Sequence, residues 1–272
     1  VRINRYLAAC GLGSRRAVEQ LVLDGRVAID GAIVRDLGVQ VADGAAITVD
    51  GRRASPPTLS RVILFHKPVN VMTTRDDPEG RRTIYDLLPA EFRRFAYAGR
   101  LDFASRGLLV LTDDGELLHR LTHPTWDHPK QYLVELDAPL AEADLVRIRD
   151  GSIELPDELP LKPVAVRSAG RSLQLELREG RNRQIRRMME VLGRQVLDLC
   201  RVSVGLWSLG ALGPGEWREL APAEIDPMRK LLALPPTGPA PQAAVAQAVA
   251  NRAALAKPPS RPPHPPRPKP RG

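Results

Sequence analysis

The sequence predicts an α+β fold: a small unit of two helices and short strands, a larger region of strands interspersed with helices, and a proline-rich tail. Three observations predict it. Apolar residues recur at helical spacing near the start and then give way to short strands broken by Asp-Gly. Between residues 61 and 234 the strand patterns and helices follow no repeating βαβ order. Twelve of the 26 prolines fall between Pro235 and Gly272.

In the first unit, Ile3, Leu7 and Cys10 recur on one helical face and Gly11 stops the helix. Ser14 is placed to cap a second helix that turns Ala17, Val18, Leu21 and Val22 inward, and Gly25 ends it. Residues 26–35 then read as strand, Asp30-Gly31 turn, strand, and residues 46–50 supply another short strand. Ser55-Pro56-Pro57-Thr58 reads as a linker, which sets the first boundary at residues 1–57. Arg2, Arg5, Arg15 and Arg16 lie on the first helix and the start of the second. They suit phosphate oxygens, or they merely solvate a face.

The region 58–234 carries strand patterns at Val62–Phe65, Leu108–Thr112, Gln131–Leu136 and Leu173–Leu177. Just before the second of these, Gly99-Arg100-Leu101-Asp102-Phe103-Ala104-Ser105-Arg106-Gly107 sets one carboxylate and two arginines on a glycine-bounded turn. A turn fixed by a buried strand can present a functional group to a cleft. Equally, Arg100 and Asp102 can pair to brace the loop.

The run from Leu177 to Gly193 contains an amphipathic helix, with Ile185, Met188, Met189 and Leu192 at positions i, i+3, i+4 and i+7. It is entered through Gly180 and closed near Gly193. The methionines are simplest as core packing. Arg178, Arg181, Arg183, Arg186 and Arg187 crowd its start, with Asn182 among them. Such a cluster suits a phosphate backbone, or one of its members suits orienting a buried carboxylate. Strand alternation puts Lys130, Tyr132 and Val134 on one face, where Tyr132 is either a core aromatic or a platform for a base.

The 272 residues include 40 basic and 32 acidic ones, a formal charge of +8 that points to a polyanionic partner. Residues 235–272 hold six of the basic residues and no acidic one, so the remainder carries 34 against 32, only +2. This tail cannot build a packed core and is expected to be disordered or partly polyproline II. Its charge gives weak, salt-sensitive attraction to nucleic acid, or serves solubility alone. No apolar run approaches the ~18 residues of a membrane span, and charged Arg2 and Arg5 leave no long apolar stretch of a signal peptide. A cytoplasmic, membrane-free protein is expected. Cys10 and Cys200 have no second Cys or His at ligand spacing, so they are expected to be buried free thiols and no metal site is expected.

Two resemblances sharpen this reading. Residues 2–31, with Ser14-Arg15-Arg16 and Gly25-Arg26-Val27, resemble an S4 RNA-binding domain, which implies binding to structured RNA mainly by shape and phosphate contacts. From Phe65-His66-Lys67-Pro68 onward, the Gly-Arg-Leu-Asp segment, the Lys-x-Tyr-x-Val strand and Glu179-Gly-Arg-Asn-Arg-Gln-Ile-Arg-Arg-Met188 resemble, in order, the pseudouridine synthases of the RsuA type.

The second resemblance implies a mixed, mostly antiparallel sheet with a central cleft, no metal or organic cofactor, and isomerisation of a specific uridine of ribosomal RNA. It implies Asp102 as the catalytic aspartate, Tyr132 as the residue that stacks on the target base and a candidate for proton transfer, and Arg186 as the basic residue paired with the aspartate. Arg100, Lys130, Arg181, Asn182, Arg183 and Arg187 are then expected to bind RNA beside the first unit's arginines. Ser105-Arg106 departs from the Thr-Ser or similar pair of many relatives, and Asn182-Arg183 looks more like the large-subunit members, so a 23S target is expected. A 16S target and a non-catalytic S4-type assembly factor are the competing expectations. The partner is ribosomal RNA or a ribosomal subunit precursor, and the chain is expected to be a monomer.

Overall fold

The computed structural model describes residues 1–237 apart from 14, 43, 56–59 and 157–158. The cap expected at Ser14, the linker residues Pro56, Pro57 and Thr58, and the tail from Gly238 onward lie outside the described residues.

In the N-terminal part, helix α1 (Ile3–Ala9) buries Ile3 and Leu7 one turn apart, and α2 (Arg15–Leu23) buries Val18 and Val22. Ala17, expected to face inward, is exposed, because the Val18–Val22 stripe fills the contact with the sheet and leaves Ala17 on its flank. Strands β1 (Val27–Ile29) and β2 (Ala32–Val34) pair through Asp30 and Gly31, whose φ angles of 50° and 86° make the turn type that matches strand twist. The same chemistry recurs at Asp50 and Gly51, joining β3 (Ile47–Val49) to β4 (Arg52–Arg53), a strand the sequence pattern did not reveal. The four strands lie in the order β2-β1-β3-β4.

The larger part is built on nine strands: β5 (Val62–Lys67), β6 (Ala96–Tyr97), β7 (Arg106–Thr112), β8 (Lys130–Leu136), β9 (Ala165–Ala169), β10 (Ser172–Leu177), β11 (Val196–Val204), β12 (Trp207–Ser208) and β13 (Trp217–Glu219). Their order is β13-β5-β7-β11-β8-β10-β9, with β6 beside β7 and β12 beside β11. The β7–β11 pair is parallel and the other described pairs are antiparallel, so the sheet is mixed and mostly antiparallel. Helices α3 (Gly115–Thr122), α4 (Glu142–Asp150), α5 (Gln184–Val191) and α6 (Pro222–Leu231) cover it.

Alternation explains the burial. On β5 and β7, Val62, Leu64, Leu108 and Val110 face one apolar cluster with α3 and α6, while Ile63, Phe65, Leu109 and Leu111 face another. Buried on both faces, these strands read as continuous apolar runs. On β8, β10 and β11, one face packs Tyr132, Val134, Leu175 and Leu199 against Ile185, Met188 and Met189 of α5. The methionines are core, as their spacing suggests. Cys200 is buried and Cys10 only half-buried, and both are free thiols. Residues 235–237, assigned to the tail from composition, are held by α6: Arg229 donates to the Pro235 carbonyl, and the Thr237 amide donates to Asp226 at 2.7 Å.

Candidate active site

Lys67 ends β5 and pairs with Gly107 of β7, which pairs with Arg201 of β11, which pairs with Tyr132 of β8. Cross-strand neighbours share a face. This row therefore lines up two cations and a tyrosine beneath the turn that precedes β7. Gly107 fits here because it has φ +114° and a Cβ would lie 2.3 Å from the Arg201 carbonyl oxygen.

The turn from Asp102 to Ser105 closes with the Ser105 amide donating to the Asp102 carbonyl at 3.0 Å. The fully buried Lys67 ammonium donates to the carbonyls of Pro68 at 2.9 Å, Asp102 at 3.0 Å and Ser105 at 2.7 Å. Burial pushes the Lys67 pKa down to about 8, with the Asp102 charge acting in the opposite direction and Arg201 adding to the fall. Thr73 steadies the preceding residue, its hydroxyl donating to the Leu101 carbonyl at 2.8 Å.

Arg186, on the buried face of α5, grips the same turn from the side. Its guanidinium donates to Val196 O at 3.1 Å, Ala104 O at 3.0 Å and Ser105 Oγ at 3.3 Å. Among the described residues the expected direct pairing with the Asp102 carboxylate is not formed, because the two terminal nitrogens of the guanidinium are directed to the backbone and hydroxyl of the turn and to the Val196 carbonyl of β11. Burial lowers the Arg186 pKa, Arg183 adds to the fall, and Asp102 opposes it. Asp102 is thus within electrostatic reach of both clamps. The alternative Arg100–Asp102 ion pair is not formed either: among the described residues no hydrogen bond or ion pair engages the Asp102 carboxylate.

That carboxylate lines a cleft of about 230 Å³ bounded by the 100–105 turn on one side, residues 179–185 on the other, and Tyr132 and Leu199 between them. Tyr132 is 9% exposed, packed into the apolar cluster and also lining the cleft. The far wall is braced by Glu179, which accepts from Gln184 at 2.7 Å and from Arg181 at 3.2 Å. Arg181 also donates to Pro160 O at 2.6 Å, so much of its donor capacity is structural. Asn182 and Arg183 are exposed at the cleft wall. Arg183 stands at φ 48° where α5 begins, a left-handed conformation rare for a non-glycine residue and common at functional sites.

Compared with known proteins, the sequence profile described as RNA pseudouridylate synthase matches residues 61–191. An uncharacterized RNA pseudouridine synthase of Aquifex aeolicus (strain VF5) is 39% identical over 86% of this chain and 96% of its own length. The chain belongs to the RNA pseudouridine synthase family. A ribosomal large subunit pseudouridine synthase B of Escherichia coli (strain K12) is 38% identical over 86% of this chain and 84% of its own length. A crystal structure of pseudouridylate synthase superposes with a TM-score of 0.62 at 30% identity, covering 83% of this chain and 98% of that one. The S4 domain profile matches residues 1–47.

In this pseudouridine synthase the remaining arginines divide. Arg2, Arg15 and Arg16 are exposed on the S4 domain, whereas Arg5 forms an ion pair with Glu116 at the start of α3. Arg100 is exposed on the cleft rim. Lys130, two residues before Tyr132, and Arg187, one after Arg186, are half-buried outside the cleft lining. Arg106, the departure noted beside Ser105, is bound to Asp198 at 2.7 Å. Among the described residues no group of three His, Cys, Asp or Glu could hold a metal, and no helix is long and apolar enough to cross a membrane.

Sequence reasoning missed Lys67, Thr73, Ser105 and Arg201 as parts of the site. A signal existed for two of them: Lys67 closes, with His66, a strand that begins as the apolar run Val62–Phe65, and Arg201 interrupts the largely apolar pattern of Val196–Val204. A cation in a strand buried on both faces needs local acceptors.

Proposed function

We propose that this protein isomerises a specific uridine of ribosomal RNA, with large-subunit 23S RNA as the substrate and Asp102 as the catalytic carboxylate. The single observation that carries the reading is an unpartnered carboxylate on a doubly clamped turn, at a cleft that Tyr132 also lines. The similarity to a synthase named for the large ribosomal subunit supports the choice of RNA.

The reaction breaks the bond between ribose C1′ and N1 of uracil, turns the detached base, joins C1′ to C5 and removes the C5 proton, while N1, left with the electron pair of the broken bond, gains a proton, so that the product is an isomer of uridine. Asp102 supplies the negative charge that opening the glycosidic bond requires. Lys67 and Arg186 hold its turn and set positive charge beside it. The target uridine must leave its stack, at a cost on the order of a few kcal/mol, and stacking on Tyr132 offsets part of it. The Tyr132 hydroxyl, which has no hydrogen-bonding partner among the described residues, is the candidate for the proton step.

In this reading residues 1–57 form the RNA-docking unit, 58–234 the catalytic unit and 235–272 a basic extension. Arg2, Arg15, Arg16, Arg100, Lys130, Asn182 and Arg183 face RNA, as does Arg187. Arg5 joins them once RNA displaces Glu116, and Arg181 braces the wall. The protein acts as a cytoplasmic monomer. Chemical mapping of pseudouridine across rRNA from wild-type and deletion cells tests the proposal. One 23S position should lose its modification on deletion and regain it with the wild-type gene. Loss at a 16S position would move the target, and no loss anywhere would leave a non-catalytic assembly factor.

A further inference from the structure

Arg201 is 3% exposed, donates from Nε to the Leu108 carbonyl at 2.8 Å, and leaves Nη2 buried with no partner. It pairs across the strands with Tyr132, and Lys130 stands two residues along on the same strand as Tyr132, so Arg201 and Lys130 are diagonal neighbours. Lys130 is half-buried, and among the described residues no hydrogen bond or ion pair engages its ammonium. Burial and Arg201 both push its pKa down, to about 8. His128, 5% exposed, adds a third nitrogen without a partner, its Nε2, within electrostatic reach of both cations. The nearby carboxylate, Asp127, is taken by Lys162 at 3.1 Å and Arg178 at 3.7 Å.

Unpaired cations buried side by side repel each other and forfeit their hydration. An anion arriving beside the half-buried Lys130 ammonium would give it a partner and relieve its repulsion with Arg201. We propose that Lys130 and Arg201 seat one backbone phosphate of the substrate RNA, adjacent to the nucleotide held at Tyr132. The inference rests on the reading that RNA occupies this cleft and adds a fixed point on the strand. One phosphate held there sets which nucleotide reaches Asp102, whereas the exposed S4 arginines fix only the overall docking.

The test uses the full-length protein and a set of substrate RNAs, each carrying a single uncharged methylphosphonate linkage near the target uridine. In wild type, one linkage next to the target should weaken binding about tenfold. In Lys130→Ala that linkage should have no further effect, and the slope of log affinity against log salt should fall by about one phosphate contact. Arg201→Lys, which keeps the charge but loses the planar fork, should show a reduced response at the same linkage. The proposal is overturned if every neutral linkage affects wild type and Lys130→Ala equally, or if the salt slope of Lys130→Ala is unchanged. Conversion of the unmodified RNA, measured alongside, reports separately on the reaction itself.

Discussion

Lys67 and Asp102 meet through the backbone: the Lys67 ammonium donates to the Asp102 carbonyl oxygen at 3.0 Å while the Asp102 carboxylate lines the cleft. The lysine thereby fixes where the carboxylate stands without occupying it. Lys67→Met should leave two carbonyls of the turn, Asp102 and Ser105, and that of Pro68 without their shared donor and loosen the turn. A misplacement of about 1 Å can cost on the order of 10²-fold in rate, so single-turnover conversion should fall by about that much while RNA affinity stays within about threefold. A parallel loss of affinity would mean that Lys67 contacts RNA.

Arg186 reaches Val196 O, Ala104 O and Ser105 Oγ with two nitrogens of one planar group. A lysine ammonium cannot span these acceptors. Arg186→Lys should therefore behave almost as badly as Arg186→Met in turnover, although it keeps the positive charge. Each variant should also lose about 1–3 kcal/mol in urea denaturation through the carbonyls left unsatisfied. Full rescue by lysine would show that charge on Asp102, and not the grip on its turn, is the role of Arg186.

The Lys130 ammonium is within electrostatic reach of Arg201 of β11 and of Asp127 and His128 of the preceding loop, and burial and Arg201 push its pKa down to about 8. Below pH 8 it is charged and, under the proposed phosphate seat, would hold RNA; above pH 8 it is neutral. Equilibrium affinity should fall as pH rises through 8, and Lys130→Arg, which stays protonated, should flatten that fall. Lys67 titrates near the same pH, which is why the comparison is made on affinity and not on rate. The sign for stability is the reverse. Both lysines are lowered below their unfolded value of about 10.5, so their contribution to folding becomes more favourable as pH rises from 8 to 10.5.

Gly107 separates Lys67 from Arg201, at φ +114° and with backbone atoms of Arg201 where a Cβ would sit. Gly107→Ala should lower stability by about 2–3 kcal/mol, read as a drop in the urea midpoint, because the central β7–β11 pair must part. A midpoint within error of wild type would contradict the strand pairing described for this row.

Truncation after Thr237, which keeps the contacts of Pro235 and Thr237 with α6, should weaken non-specific RNA binding and flatten its salt dependence while leaving the modified position unchanged. Loss of the correct position on truncation would give the tail a role in site choice.

Local chemistry was legible in the sequence; long-range pairing was not. Asp30-Gly31 announced its hairpin because both residues must take positive φ, and Ile185, Met188, Met189 and Leu192 announced α5 by their spacing. The glycine-bounded turn bearing Asp102 was also readable, since a turn before an apolar strand is a local pattern. The parallel pairing of β7 with β11 joins residues nearly a hundred positions apart, and no local pattern encodes it. For the same reason the partners of Arg186 were misjudged: residue types suggested a carboxylate, but the sheet brings two backbone carbonyls and a serine hydroxyl to the guanidinium. Lys67 looked like the end of a strand because its three acceptors come from the backbone, which carries no residue-type signal.

The central claim is that the Asp102 carboxylate carries the chemistry on a turn held by Lys67 and Arg186. Single-turnover conversion of 23S rRNA by Asp102→Asn, with RNA affinity measured on the same preparation, tests it most directly. Asp102→Asn should form no detectable pseudouridine while keeping affinity within a few fold of wild type. Pseudouridine formed by Asp102→Asn at a rate near that of wild type would contradict that claim.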